Sequence, residues 1–266
     1  MTRLLDRIDR PQDLHALSDE QLQQVAQEVR EHIIDTVGEI GGHFGANLGT
    51  CEIAVAVHSL LDSPRDKVLW DVGHQAYPHK ILTGRRDQLP TIRKYGGLAP
   101  FCSIPESEHD IMGAGHASTS IGYGVGLSEA ERLKAKTSGE QDPNPPKVVA
   151  VIGDGSMTGG VAFEAAHQAG GLGTPLVVIL NDNGMSISPN VGALSRYFQR
   201  VRLHPKLWHG RERVAPGAIE RRHVGASLLL FGRNFRGHGD FVTHECVTSS
   251  RRSLTQAPAG LGFGPP

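Results

Sequence analysis

Cysteine is scarce. Cys51, Cys102 and Cys246 are the only three in 266 residues. They lie far apart, with no metal-type spacing, so reduced thiols are the plain reading. Charge imbalance is missing as well: 27 Lys and Arg against 28 Asp and Glu leave a formal net charge of −1. That balance gives no electrostatic footprint for nucleic acid or an anionic membrane. No apolar run approaches the ~20 residues of a membrane span. The opening stretch, MTRLLDRIDRPQDLHAL, is charged throughout and lacks the apolar segment of a secretion signal. There are no internal repeats, and no Gly-Lys-Ser/Thr that would make a P-loop. These absences leave a cytoplasmic protein as the expectation. With 38% hydrophobic residues the chain can build one large α/β domain, or a domain plus a fragment.

What is present is a regular alternation. LSDEQLQQVAQEVREHIIDTV has Ser18 and Gln21 at capping-box spacing, with Leu22, Val25, Val29, Ile33 and Val37 on a helical period. A glycine-rich loop, GGHFGANLG, runs into an apolar helix from about Thr50. KVLWDVG reads as a short buried strand ending in Asp71, and a small-residue helix follows the loop around GAGHASTS. KAKTSGEQDPNPPK is a polar, proline-rich connector. Then come a strand at Val148–Ile152, a helix around Gly160–Ala169 and a strand at Leu176–Leu180. Alternating strands and helices predict a doubly wound, mostly parallel sheet with helices on both faces. In such sheets ligands sit at the carboxyl ends of the strands. DVGH, GDGS and NDN all fall at expected strand ends.

Two buried strands that end in GDG and NDN want a polar partner. Asp154 is a hard anionic oxygen ligand and Asn183 a neutral carbonyl oxygen, a pair that suits magnesium together with phosphate oxygens and water. Gly155 and Ser156 open the next helix, where backbone N–H groups can meet a phosphate. Taken singly, GDG is a tight turn and NDN a capped loop. GDGSMTG also has the look of a loose dinucleotide-binding turn, with Asp182 where a ribose-binding acid would stand. Asp154 favours the metal, because an acid inside a phosphate loop repels a dinucleotide unless a cation intervenes.

GDG and NDN at this spacing form a thiamine-diphosphate signature. Together with GGHFGANLG, WDVGHQAYPHKILTGRRDQ, ESEHDIMGAGHASTS and NDNGMSISPNVGALSRYF, the stretch 10–205 resembles the 1-deoxy-D-xylulose-5-phosphate synthases, a transketolase-like family. The resemblance implies a thiamine-diphosphate-binding fold over residues 1–205, with thiamine diphosphate and Mg2+ as cofactors. It implies pyruvate and glyceraldehyde 3-phosphate as substrates, release of carbon dioxide, and a homodimer as the intact enzyme. It assigns magnesium to Asp154, Asn183 and the backbone carbonyl of Met185, and the diphosphate to Gly155 and Ser156. Gly115, His116 and Ala117 would line the cofactor, His74 would lie near diphosphate and substrate, and His43 would face the reacting carbon. Imidazoles suit proton movement near neutral pH. Read without the resemblance, each of these histidines is structural or incidental. His32, His58 and His167 keep that reading, and His79 stays open. Arg85 and Arg86 read either as phosphate ligands or as a solvated turn.

Two departures stand out. Gly184 follows NDN where the family has an acid. After about Arg211 the text loses its periodicity, and residues 206–266 read as an irregular, disordered or frameshifted tail. The family's second domain donates a glutamate to the aminopyrimidine ring, and no residue here takes that part. The chain therefore reads as an N-terminal fragment. The alternatives are the first subunit of a split transketolase, and an inactive remnant that pairs with a full-length synthase.

Overall fold

The computed structural model of the chain describes residues 3–139, 142, 144–182, 192–193, 196–197, 227–233 and 239–245, the last two stretches as backbone strands. The first long element is α1, Asp19–Ile40. Ser18 Oγ accepts from Gln21 N–H, and Gln21 Oε1 accepts from Ser18 N–H at 2.9 Å, so the capping box closes as its spacing predicts. Leu22, Val25, Val29, Ile33 and Val37 are all buried. They pack against α3, Cys51–Leu60, which follows the short α2, Phe44–Leu48.

Five strands form one sheet in the order β1-β2-β3-β4-β5. β1 is Lys67–Trp70, β2 Val148–Gly153 and β3 Leu176–Asp182, mutually parallel. Strands buried on both faces need apolar residues at consecutive positions, and these have them. Val68, Trp70, Val149, Val151 and Ile179 join the core of α1 and α3 on one face. Leu69, Val148, Ala150, Ile152, Leu176 and Val178 join the core of the two crossover helices on the other. Each such side chain contributes about 1.5–3 kcal/mol on burial. The crossover helices are α5, Ser120–Ser138, and α6, Gly160–Leu172; the single turn α4, Tyr77–Lys80, precedes them. Gly124 lets α5 lie close on the sheet, since a Cβ there would stand 2.7 Å from Leu176 Cδ1. The expected α/β sheet with helices on both faces is thus present, its described strands running in sequence order.

Three expectations need correction. β3 does not stop at Leu180 but continues through Asn181 and Asp182, both buried. The reason is a partner: β4, Ser227–Arg233, runs antiparallel to β3 and pairs Leu228 with Asn181 and Ser227 with Asp182. The expected irregular tail therefore holds β4 and also β5, Gly239–Glu245, antiparallel to β4. SLLLFGR is a short apolar run, and periodicity alone does not announce such a strand. The rest of 206–266 lies outside the described residues. The third correction concerns GDGS. Ser156–Thr158 is a 3-10 turn, and the α-helix begins only at Gly160. Gly155 and Ser156 thus open a turn rather than α6.

Among the described residues no helix is long and apolar enough to cross a membrane. Cys51 and Cys102 are buried, and burial pushes both thiols up to about 12, which keeps them protonated. Cys246 lies outside the described residues.

Candidate functional site

β1 ends at Trp70, and the chain turns sharply. Val72 has φ +60° and Gly73 φ +83°. A β-branched residue in the left-handed region is an outlier that the surroundings must hold in place. Gly73 has no alternative, because a Cβ would stand 2.7 Å from Ala114 Cβ and 3.0 Å from Cys102 N. Asp71, fully buried, supplies the hold. Its carboxylate accepts from Ser118 N–H at 2.8 Å and from Ser120 N–H at 3.0 Å, at the start of α5. Backbone N–H groups at a helix start have no intrahelical partner, so a buried carboxylate there meets both needs.

Ser118, at φ +74°, sends its hydroxyl to the Ser156 carbonyl at 2.7 Å. The loop carrying Gly115, His116 and Ala117 is thereby tied to the loop carrying Asp154, Gly155 and Ser156. Gly159 must be glycine for this tie, since a Cβ would stand 2.2 Å from Ser118 Oγ. Asp154 N–H in turn donates to the Asn181 carbonyl at 3.3 Å. Asp71, Asp154 and the end of β3 are therefore joined at the carboxyl edge of three neighbouring strands. Gly115 and His116 are exposed, and His116 Nδ1–H donates to the Ala117 carbonyl at 2.7 Å. Asp154, Gly155 and Ser156 are half-buried. Asn183 and Met185 lie outside the described residues, as does Gly184.

His43 and His74 come together although 31 positions separate them in the sequence. Their ring centroids are 5.6 Å apart, edge to face, and Phe101 lies 5.6 Å from His43 on another side. Tyr77 Oη is 3.5 Å from His43 Nδ1. Burial lowers the affinity of His43 for a proton, and the positive charge of Arg93 adds to this. Burial also lowers the pKa of His74; His43 acts in the same direction and Asp71 opposes it. Both rings are thus neutral at pH 7 and able to take or give a proton. His74 Nδ1 is buried with no hydrogen-bond partner among the described residues. Ser120 Oγ and Asn181 Oδ1 share that condition. Buried polar atoms without partners are uncommon, and these three belong to segments that build the same strand-end region.

Beneath the site lies a buried charged network that the sequence reading missed. Arg85 forks onto Asp110 at 2.8 and 2.9 Å and reaches Glu106 at 2.7 Å. Lys80, wholly buried, pairs with Glu106 and stands 3.9 Å from Asp110. Arg85 is neither a phosphate ligand nor part of a solvated turn. Nor is Arg86, which donates to the carbonyls of Leu5 and Ile8 and pins the N-terminal turn. His79 Nε2–H donates to Asp110 Oδ1 at 3.0 Å. With that tautomer His79 Nδ1 accepts from His58 Nε2–H at 2.9 Å, leaving His58 Nδ1 bare, and that atom indeed has no partner among the described residues. His79, Cys102 and Asp110 are the one group among the described residues with metal-ligand spacing. The cations of Arg85 and Lys80 on Asp110, and a thiol held protonated, make it an ion-pair network instead. Its acids also order the next loop: Ser103 N–H donates to Asp110 Oδ2 and Ala99 N–H to Glu106 Oε2, each at 2.7 Å. Phe101 rides on that loop. His58 is structural, as expected; His32 is half-buried against the Arg86 carbonyl at 3.3 Å, and His167 is exposed on α6.

The network carries a pH signature. Burial lowers His79 from 6.5 to about 4, and burial puts His58 well below its ordinary value. Between pH 6.5 and about 4 the unfolded chain binds protons that the folded chain refuses, so stability falls as pH falls through that window. Burial alone would raise Asp110, but hydrogen bonds from His79 and Arg85 outweigh it and hold the carboxyl well below the usual range. That contribution is kept above about pH 4 and lost below it. Urea midpoints are therefore expected to decline steadily from pH 7 to 4.5. A flat profile would contradict the neutral buried imidazoles.

Comparison with known structures places this architecture among transketolase-like α/β domains. A transketolase from Campylobacter jejuni superposes with a TM-score of 0.55 at 22% identity, over 66% of this chain and 30% of the transketolase chain. The sequence is more specific. A family model described as 1-deoxy-D-xylulose-5-phosphate synthase matches residues 5–236, and the chain belongs to that family. The match runs past residue 205 and takes in β4. The 1-deoxy-D-xylulose-5-phosphate synthase of Thermomicrobium roseum is 56% identical over 218 residues, which is 82% of this chain and 33% of that protein. That of Anaeromyxobacter sp. strain K is 58% identical over 200 residues, 75% of this chain and 30% of the relative. That of Carboxydothermus hydrogenoformans is 45% identical over 236 residues, 89% and 37%. The chain spans about a third of the length of these relatives.

Proposed function

We propose that the chain is the diphosphate- and magnesium-binding region of a thiamine-diphosphate-dependent transferase. The reaction is condensation of pyruvate with glyceraldehyde 3-phosphate to 1-deoxy-D-xylulose 5-phosphate, with release of carbon dioxide. The intact enzyme is proposed to be a homodimer. The observation that carries this reading is the hydrogen-bonded tie between the 115–120 loop and the 153–156 loop, at the carboxyl ends of β1, β2 and β3. It sets an acid, small residues and backbone N–H groups around one strand-end region, where α/β folds bind their ligands.

The donor set fits the group. Asp154 is a hard anionic ligand for magnesium, and Gly155 and Ser156 offer backbone at a half-buried turn. Asn183 and Met185 complete the proposed metal ligands. A Cβ at Gly115 would meet nothing within 4 Å, so the loop of Gly115, His116 and Ala117 faces open space that a ligand can enter. The partnerless atoms of His74, Ser120 and Asn181 suit a polar guest. When bound, thiamine diphosphate supplies the carbanion chemistry. The chain orients it, and the neutral imidazoles of His43 and His74 hold or pass protons near the reacting carbon. The glutamate that the family resemblance assigns to the aminopyrimidine has no counterpart among the described residues. That part of catalysis is proposed to come from the portion of the relatives this chain does not span.

The test is calorimetry of the 266-residue chain with thiamine diphosphate, with and without magnesium. The parent is expected to bind only with magnesium present, and Asp154→Ala is expected to lose the magnesium-dependent part. Without the carboxylate the diphosphate's charge is poorly neutralised. Equal magnesium-dependent affinity in parent and variant would overturn the metal assignment.

A further inference from the structure

Asn47 bonds to the backbone of both histidines, His43 and His74, and is wholly buried. Its amide makes three of its four possible hydrogen bonds, to three separate points of the site. Nδ2 donates to the backbone carbonyl of His43 and, at 2.8 Å, to that of His74. Oδ1 accepts from Tyr77 N–H at 2.8 Å. Thr50 closes the arrangement: its hydroxyl is 3.1 Å from the Asn47 carbonyl and 3.0 Å from that of Gln75. Among the described residues no other side chain bonds to the backbone of both His43 and His74. His43 is the N-cap of α2 without a side-chain cap of its own, so the loop before α2 is held by Asn47 and by Tyr77 Oη, which accepts from His43 N–H at 3.4 Å. Only an amide has two donors and an acceptor in this compact planar form. A carboxylate would set negative oxygens against two carbonyls, and an alanine would take this partner from three backbone groups, one bond of which is buried and two part-buried.

We propose that Asn47 is a positioning residue that fixes the spacing of His43 and His74, a role that rests on the reading of these imidazoles as the site's proton carriers. Asn47 touches no reacting atom. It acts by holding two backbone segments, brought from either side of α3, at the separation that sets the rings 5.6 Å apart. The charged and titratable groups facing the pair are Arg93 and Tyr77 for His43, and Asp71 together with His43 itself for His74.

The experiment is NMR titration of the imidazoles in the full 266-residue chain, with Asn47→Ala and Asn47→Asp beside the parent. Val57→Ala, a core truncation in α3, serves as a control that lowers stability without touching the pair. In the parent both rings are expected to titrate below the ordinary histidine value. In folded Asn47→Ala both are expected to move up toward about 6.5, as the segments part and water reaches the rings. Asn47→Asp is expected to move them at least as far, because its charge favours the imidazolium. Val57→Ala should lower the melting temperature and leave both titrations in place. Unchanged titrations in a folded Asn47 variant would overturn the proposal, as would an equal shift in Val57→Ala. Should neither Asn47 variant fold, the parent decides. Slow solvent exchange of both Nδ2 protons, with a measurable cross-peak between the two rings, supports the device, and fast exchange of either proton overturns it. Thiamine diphosphate does not enter these measurements, so failure of the cofactor to bind is a separate result.

Discussion

Arg85→Ala is expected to remove about 3–5 kcal/mol of stability, a large share of what a domain this size has. Arg85 is 4% exposed, and its guanidinium makes three hydrogen bonds to the carboxylates of Asp110 and Glu106. Its removal leaves Asp110, itself 3% exposed, with Lys80 at 3.9 Å as the nearest remaining cation. Breaking a buried pair from one side is costly because the abandoned charge cannot reach water. Arg85→Lys should fall between parent and alanine, since an ammonium is a point charge and cannot fork onto a carboxylate. The loss should also reach the site, because Asp110 and Glu106 hold the backbone of Ser103 and Ala99 on either side of Phe101. The measurement is urea denaturation followed by circular dichroism at pH 7.5. An Arg85→Ala midpoint matching the parent would show that the network contributes little.

The parts of the fold readable from the sequence were those with local causes. The α1 helix declares itself through Ser18, Gln21 and five apolar residues on one period, all of them buried. β1 and β2 declare themselves as apolar runs of strand length. β4 does not, because Leu228–Phe231 is a single short apolar run with no alternating pattern, and only the open edge of β3 makes it a strand. For the same reason β3 runs longer than its apolar residues suggest: Asn181 and Asp182 stay in the ladder because β4 pairs with them.

The site divides along the same line. His43, His74, Asp154 and the GHA loop were found through motifs whose chemistry is carried in a few consecutive residues. Asn47 and Asp71 stand within those motifs without announcing a role, since their work is to bond backbone that comes from elsewhere in the chain. Asp71 bonds Ser118 and Ser120 across 47 and 49 residues, and Asn47 bonds His74 across 27. Arg85 looked like a surface cation because its partners, Glu106 and Asp110, come 21 and 25 residues later. One clue is present in the sequence: GRR and ESEHD carry opposite charges and so can compensate each other if buried together.

The second large effect is expected at Asp71. Asp71→Ala orphans the N–H groups of Ser118 and Ser120, each worth about 1–3 kcal/mol when buried and unpaired. It also removes the restraint on Ser118, whose φ of +74° is unfavourable for any residue with a side chain. Once Ser118 relaxes, its hydroxyl leaves the Ser156 carbonyl, and the two loops proposed to hold the diphosphate come apart. Asp71→Asn is the sharper test. It keeps the shape and one acceptor, so the chain should fold, but its NH2 group sets a donor against a backbone N–H that needs an acceptor. Magnesium-dependent affinity for thiamine diphosphate is expected to fall about tenfold or more in this variant, the equivalent of about 1.4 kcal/mol. Hydrogen exchange at Ser118 and Ser120 should speed up by a similar factor, and that readout does not depend on the cofactor. Should Asp71→Asn exchange slowly at both amides and bind like the parent, the carboxylate is not what holds the two loops together.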